Sequence, residues 1–412
     1  MIASALPKSA PTAGPFRILV VTETFPPEIN GVAKTLHRML GDLLQRGHEI
    51  TLVRPKQGPT DYATANGNYR EVLVRGAKIP LYEDLRFGFP EKYLLRRLIQ
   101  LEKPDIVHVV TEGPLGWSAV RAARHVGIPV VSDFRTNFHA YAKYYKFGFM
   151  GKIVHNYLRG LHNRTQTTLV PTAQIAGQLQ STGYSNVQVV SRGIDSDLFH
   201  PARRNTSLRE EWGLKPADTA ILYVGRLAPE KNLDLLVRSF RKIQSKVPNA
   251  KLVLVGDGPS KEKLITENPD FIFRGMRKGQ DLAEHYATGD LFLFPSLTET
   301  FGNVVVEAMA SGLPIVAYDY AAANQHLKHG KSALLCGFDK EEEFIEQSCL
   351  LAENKKLAQK LGGQARKTAS ECTWEDVTDS LESIYAGVAY PKRKTSKSRS
   401  RKAMKLKVSI AR

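Results

Sequence analysis

Cysteine is scarce in this 412-residue chain: Cys336, Cys349 and Cys372 are the full set. They are odd in number and show no C-x-x-C spacing, which excludes a disulfide framework or a thiolate zinc site and suits a reducing cytoplasm. Long apolar runs are also missing. No stretch approaches the ~20 apolar residues of a membrane-spanning helix, and Met1 to Pro15 lacks the apolar core of a secretory signal. Any membrane contact is therefore expected to be peripheral, on the inner face. Acids are absent from residues 390–412, which hold ten Lys or Arg, so the rest of the chain carries only +7 of the net charge of +17. Such a tail, rich in Ser and Lys and nearly free of aromatics, is expected to be disordered and separable from the chemistry.

The rest has an ordinary soluble composition, 42% apolar and 24% charged, and a length that suits two domains. Short apolar runs alternate with amphipathic segments. "RILVVT" (17–22), "HEITLVRP" (48–55), "DIVHVV" (105–110), "GIPVVS" (127–132), "TTLVPT" (167–172) and "VQVVSRG" (187–193) form one series. "AILYVGR" (220–226), "KLVLVGDG" (251–258), "FIFRG", "LFLFP" and "LPIVAY" form a second. Strand, loop, helix and strand in repetition predict an α/β chain with two Rossmann-like, doubly wound parallel-sheet domains facing across a cleft. The expected division is a flexible 1–16, a first domain 17–193, a second 194–372, a helix 373–389 reaching back to the first, and the tail 390–412. Lys340 to Ala389 reads as helical, with a break around Cys372-Thr373.

The chemistry concentrates in "SLTETFGNVVVEAMASGLP" (296–314), where two acids, Glu299 and Glu307, bracket a Gly-containing helix start that follows a buried strand. A helix start of this kind is an anion site. Arg226 and Lys231, in "VGRLAPEKN" after another strand, can bring two cations to the same crevice; singly, each reads as well as a solvated surface residue. Carboxylates repel phosphate but accept hydrogen bonds from hydroxyls, so the pattern fits a diphosphate with a sugar at each end. A nucleoside diphosphate sugar has that layout.

These residues resemble the retaining glycosyltransferases of GT-B fold in glycosyltransferase family 4. Glu299 and Glu307 match the E-x7-E signature, and "VGRLAPEKN", "LVGDGP", "FPSLTETFGNVVVEAMASGLPIVA" and "RGIDSDLF" resemble its blocks across roughly 17–389. The resemblance implies that Glu307 binds the donor ribose and Glu299 the transferred sugar. Arg226 and Lys231 would hold the diphosphate, and backbone around Gly225, Phe301, Gly302, Asn303 and Val304 would complete its cradle. Asn30-Gly31 occupies the family's Gly-rich loop, with Asn30 where a second glycine often stands and Gly31 on the donor. Arg135, in "VVSDFRTNFHAY", stands where many relatives have a His near the reacting sugar. It cannot shuttle protons but can pair with a phosphate or an anionic acceptor, while His139 is a further catalytic candidate. Asp195-Ser196-Asp197 spells a D-x-D metal motif but lies in the interdomain joint, and the resemblance implies metal independence and no cofactor beyond the donor.

The implied activity is transfer of a hexose, mannose before glucose, to a lipid-linked or glycan acceptor. A sugar-nucleotide epimerase of the same fold and a noncatalytic sugar-nucleotide or glycan-binding protein are the alternatives. Residues 143–164 mix aromatics and cations without an acid, and with the tail they can meet an anionic membrane surface. Nucleic acid is a less expected partner.

Overall fold

The computed structural model describes residues 14–28, 30–79, 82–135 and 149–391. The basic tail from 392, His139 and residues 143–148 lie outside the described residues.

Runs without polar alternation are buried on both faces, which a parallel sheet with helices on each side provides. The first sheet contains β1 (Arg17–Val21), β2 (Glu49–Pro55), β3 (Ala65–Asn66) and β4 (Tyr69–Val74). β5 (Gly76–Ile79) and β6 (Tyr82–Gly88) form a separate antiparallel hairpin. β7 (Ile106–Val109), β8 (Val130–Asp133), β9 (Thr167–Val170) and β10 (Val187–Val189) complete the first sheet, in the order β10-β9-β8-β7-β1-β2-β4-β3. Only the β3–β4 pair in it is antiparallel. The second sheet, parallel throughout, runs β13-β12-β11-β14-β15-β16. Its strands are β11 (Thr219–Val224), β12 (Ala250–Val255), β13 (Ile272–Phe273), β14 (Leu291–Phe294), β15 (Ile315–Tyr318) and β16 (Leu334–Cys336).

Alternation along β1 shows how each sheet serves two layers. Ile18 and Val20 pack with Leu36, Met39 and Leu40 of the Gly31–Gln45 helix, whereas Leu19 and Val21 pack with Leu95, Ile99, Leu115 and Ala119 on the other face. One continuous core covers the second sheet.

β4, the β5–β6 hairpin and β16 have no counterpart in the strand pattern of the sequence. β4 reads "YREVLV", and its Glu71 accepts a hydrogen bond from the buried Arg54 of β2 at 2.9 Å, with Asp61 bound to the same guanidinium at 2.7 Å. An internal ion cluster here replaces the apolar pattern. The C-terminal helical segment has an additional break at Asn354, whose side chain caps the next helix by accepting the Leu357 N–H.

The chain passes between the sheets twice, side by side. The Ile194 N–H donates to the Cys372 carbonyl at 2.9 Å, and a Cβ on Gly193 would lie 2.5 Å from the Trp374 backbone. Only glycine fits that approach. Beyond it, the Trp374–Ala389 helix lies on the first lobe: Arg46 pairs with Asp379 at 2.5 Å and Glu382 at 2.7 Å, and buried Tyr385 reaches His108.

Candidate active site

In each sheet one central strand pairs with strands from both directions, β1 with β2 and β7, and β11 with β12 and β14. Ligands of open α/β sheets bind at the carboxyl ends beside such switch points. The loops after β11 and β14 carry Arg226, Lys231, Glu299 and Gly302; the loop after β1 leads to Gly31.

Glu299 is held from three sides. Its Oε1 accepts from Lys231 Nζ at 2.5 Å and from Ser296 Oγ at 2.8 Å, while the Tyr320 hydroxyl bonds its backbone. Lys231 and Glu299 are both largely buried, so this pair is shielded from solvent and salt. Lys231 is placed by a short 3-10 turn, Pro229–Lys231, before the Leu233–Lys246 helix.

Glu307 is reached from both lobes. Lys34, on the first helix, donates to Oε1 at 3.2 Å, and Tyr286 donates to Oε2 at 3.0 Å. Burial and the neighbouring Glu307 raise the Tyr286 phenol well above its ordinary value, so the hydroxyl stays protonated and donates. A carboxylate has about four acceptor positions, and two remain for a ligand's hydroxyls.

Gly302 has φ 92°, a left-handed backbone that a side chain would strain, and it caps the Asn303–Ala310 helix. The Asn303 and Val304 N–H groups come before the first intrahelical bond and are left for an acceptor. Phe301 is fully buried and anchors this loop. The glycines of "LVGDGP" position the Arg226 loop: a Cβ on Gly256 would lie 1.9 Å from the Gly225 carbonyl oxygen, and Leu227 N–H bonds the Asp257 carbonyl at 2.9 Å. Arg226 itself is half-exposed and lies 3.6 Å from Glu230.

On the first lobe, Asn30 has an extended backbone and its side chain accepts the Val32 and Ala33 N–H groups, so it serves as the N-cap of the helix that Gly31 opens. Arg135 is paired within its own lobe. Its guanidinium is bound to Asp133 Oδ2 at 3.0 Å and 2.5 Å. Asp133 Oδ1 lies 3.1 Å from His108 Nε2, and His108 Nδ1 lies 2.7 Å from Tyr385 Oη. Burial opposes ionisation of Asp133, but Arg135 and His108 outweigh it and hold the carboxyl below the usual carboxylate range. An ionised Asp133 accepts from His108 Nε2–H, and His108 Nδ1 shares a hydrogen bond with the Tyr385 hydroxyl. A buried chain of hydrogen bonds thus runs from the last helix to the cleft. Asp195 closes a turn by accepting the Leu198 N–H at 2.9 Å.

The sequence reading missed Lys34, Tyr286, Tyr320, Asp133, His108 and Arg192. Arg192 falls inside the "RGIDSDLF" block, and that was its only signal. Of the basic, aromatic segment, the Phe149–His162 helix is described; it buries Leu158 and Leu161 and exposes Ile153, and Tyr157 stacks on Trp117 at 5.3 Å.

The family description Glycosyltransferase Family 4 matches residues 29–198, and Glycosyl transferases group 1 matches 205–368. A GDP-mannose-dependent alpha-mannosyltransferase of Mycolicibacterium smegmatis is 32% identical over 90% of this chain and 97% of its own length. The chain belongs to glycosyltransferase family 4. This glycosyltransferase also resembles the alpha-monoglucosyldiacylglycerol synthase of Acholeplasma laidlawii, 25% identical over 90% of the chain and 96% of the relative. The Anabaena protein HepE, solved with UDP, shares its fold with a TM-score of 0.71 at 18% identity, over 90% of this chain and 100% of that one. The GT-B fold and the hexosyltransferase class expected from the sequence are borne out.

Proposed function

We propose that this glycosyltransferase moves a hexose from a nucleoside diphosphate sugar, GDP-mannose before UDP-glucose, to a lipid-linked or glycan acceptor, with retention and without a metal ion. The observation that carries the reading is the convergence of Lys231, Glu299, Glu307 and the Gly302–Asn303 helix start on one crevice. Mannose is preferred because the 32%-identical relative is a mannosyltransferase; the lipid acceptor is suggested by the diacylglycerol-linked product in the name of the other.

In this reading the free positions of Glu307 accept the ribose hydroxyls, and Glu299 accepts from the transferred sugar. Lys231, which reaches Glu299, and the more open Arg226 hold the diphosphate against the helix start. The bond from the sugar's C1 to the phosphate oxygen breaks, and its electron pair leaves with the nucleoside diphosphate. The acceptor oxygen bonds C1 from the same face, and its proton passes to the departing phosphate. Cations and N–H groups fixed before the reaction stabilise the charge that develops on that phosphate.

Purified enzyme supplied with labelled GDP-mannose or UDP-glucose and a membrane lipid extract should label a lipid from GDP-mannose, with EDTA present, and the new linkage should keep the donor's configuration by NMR. Labelling from UDP-glucose alone would reassign the donor; an inverted product or loss of labelling with EDTA would overturn the mechanism.

A further inference from the structure

Arg192 follows β10 where the chain leaves the first lobe, and only 6% of it is exposed. Its Nη1 donates to Asn303 Oδ1 at 2.8 Å, and the guanidinium lies over the Phe301 ring at 5.1 Å. Neither neighbour carries a negative charge. Among the described residues no carboxylate forms an ion pair with Arg192, and its buried Nε has no hydrogen-bond partner. A buried guanidinium is ordinarily matched by a carboxylate, as Arg54 is by Asp61 and Glu71.

The surroundings add positive potential. A Cβ on Gly31 would lie 3.8 Å from Arg192 Nη1 and 3.6 Å from Asn303 Nδ2. Gly31 opens a 15-residue helix and Asn303 an 8-residue one, so two helix N-termini, each with a partial positive charge, meet at the guanidinium. Burial, reinforced by Arg135 and only partly offset by Asp133 and Glu299, pushes Arg192 down to about 9. The protein therefore keeps a costly charge between the two helix starts, one from each lobe.

We propose that Arg192 is a further cation of the diphosphate site, whose unpartnered nitrogens receive oxygens of the distal phosphate, the one that bears the sugar. The assignment rests on the donor reading above. Asn303 belongs to the proposed donor cradle and Gly31 faces it from the other lobe, so the anion that fits between them is the phosphate at the reacting end. Arg192 leaves the first lobe at the crossing, so the same contact ties the leaving group to the junction of the lobes. Arg135, by contrast, has its charge matched by Asp133.

The test compares phosphate number. Wild type, Arg192→Met and Arg192→Lys are titrated calorimetrically with GDP, GMP, UDP and UMP and melted without ligand. For Arg192→Met, diphosphate affinity should fall about tenfold, equivalent to ~1.4 kcal/mol, while monophosphate affinity stays within about threefold. The ligand-free melting temperature should hold or rise, because an unmatched buried charge is gone; Arg192→Lys should be intermediate in binding. Equal losses for mono- and diphosphate, or a melting temperature that falls with proportionate loss of all binding, would make Arg192 structural. Unchanged nucleotide binding with a raised acceptor KM would move its anion to the acceptor. Either result overturns the assignment while wild-type diphosphate binding leaves the donor reading intact; wild type binding no diphosphate overturns both.

Discussion

Glu299 and Glu307 are both carboxylates at the mouth of one helix, and their partners give them different work. Lys231 is tied to Glu299 at 2.5 Å, so Glu299→Gln frees that ammonium for phosphate. Nucleoside diphosphate affinity should hold or improve, while turnover falls because charge developing on the sugar loses its carboxylate. Glu307→Gln weakens acceptance of the ribose hydroxyls and should raise the donor KM and weaken free nucleotide, by roughly 1.5 to 3 kcal/mol for a charge-assisted contact. Calorimetry beside steady-state kinetics separates the two; the opposite pattern would mean that the donor lies the other way round.

Glu23 offers a separate residue-scale test. Burial first, and the nearby Glu112 to a lesser degree, push its carboxyl up to about 7 from the ordinary 4.5, although the Leu115 N–H bound to it pulls the other way. An acid whose value rises on folding favours its protonated form in the native state. Its contribution to stability is complete below about pH 4.5 and is lost as the pH rises through about 7. Glu23→Gln, always neutral, should gain melting temperature relative to wild type between about pH 5 and pH 8, and a pH-independent difference would refute the titration. Glu23 was silent in the sequence for the same reason as Lys34 and Arg192. Lys34 and Glu307 are separated by 273 positions and Arg192 and Asn303 by 111, so their meeting is a property of how the lobes sit together, while the local pattern showed only the acids, the cations and the helix start.

Elements were legible where burial is simple. Strands such as β11 and β14 are apolar on both faces and read as continuous runs, whereas β4 carries Arg70 and Glu71 at the side of the sheet where an ion cluster does the packing. The Trp374–Ala389 helix is legible as a helical stretch reaching back to the first lobe, but its link to the cleft through Tyr385, His108 and Asp133 is not, since each is an unremarkable residue in its own segment. Tyr385→Phe keeps the ring and leaves His108 Nδ1 without its hydrogen-bond partner. Chemical denaturation should show a loss of roughly 1 to 3 kcal/mol, the cost of an unsatisfied buried polar group. Wild-type stability in that variant would show that the hydroxyl contributes nothing to holding the helix.

At the scale of the whole molecule, charge and fold are largely separate. No helix of the described residues is long and apolar enough to cross a membrane, and most of the excess charge lies in residues 390–412. Deleting 391–412 should leave transfer to a soluble acceptor intact and reduce sedimentation with anionic vesicles, most clearly at low salt, since each basic residue near such a surface is worth up to ~1 kcal/mol. Equal sedimentation of both forms would leave the tail without a membrane role.

The double crossing beside Gly193 gives the order of synthesis a meaning. The first lobe's core includes Leu381 and Tyr385, packed with Ile18, Leu36 and Val131, yet these residues are among the last of the described ones to be made. Domains generally fold as units while the chain emerges, N-terminal first. Here the N-terminal lobe remains open along one face until the second lobe has been made and the final helix has cleared the ribosome. A ribosome stalled anywhere in the second lobe therefore holds a first lobe with part of its core exposed, a substrate for chaperones rather than a finished domain.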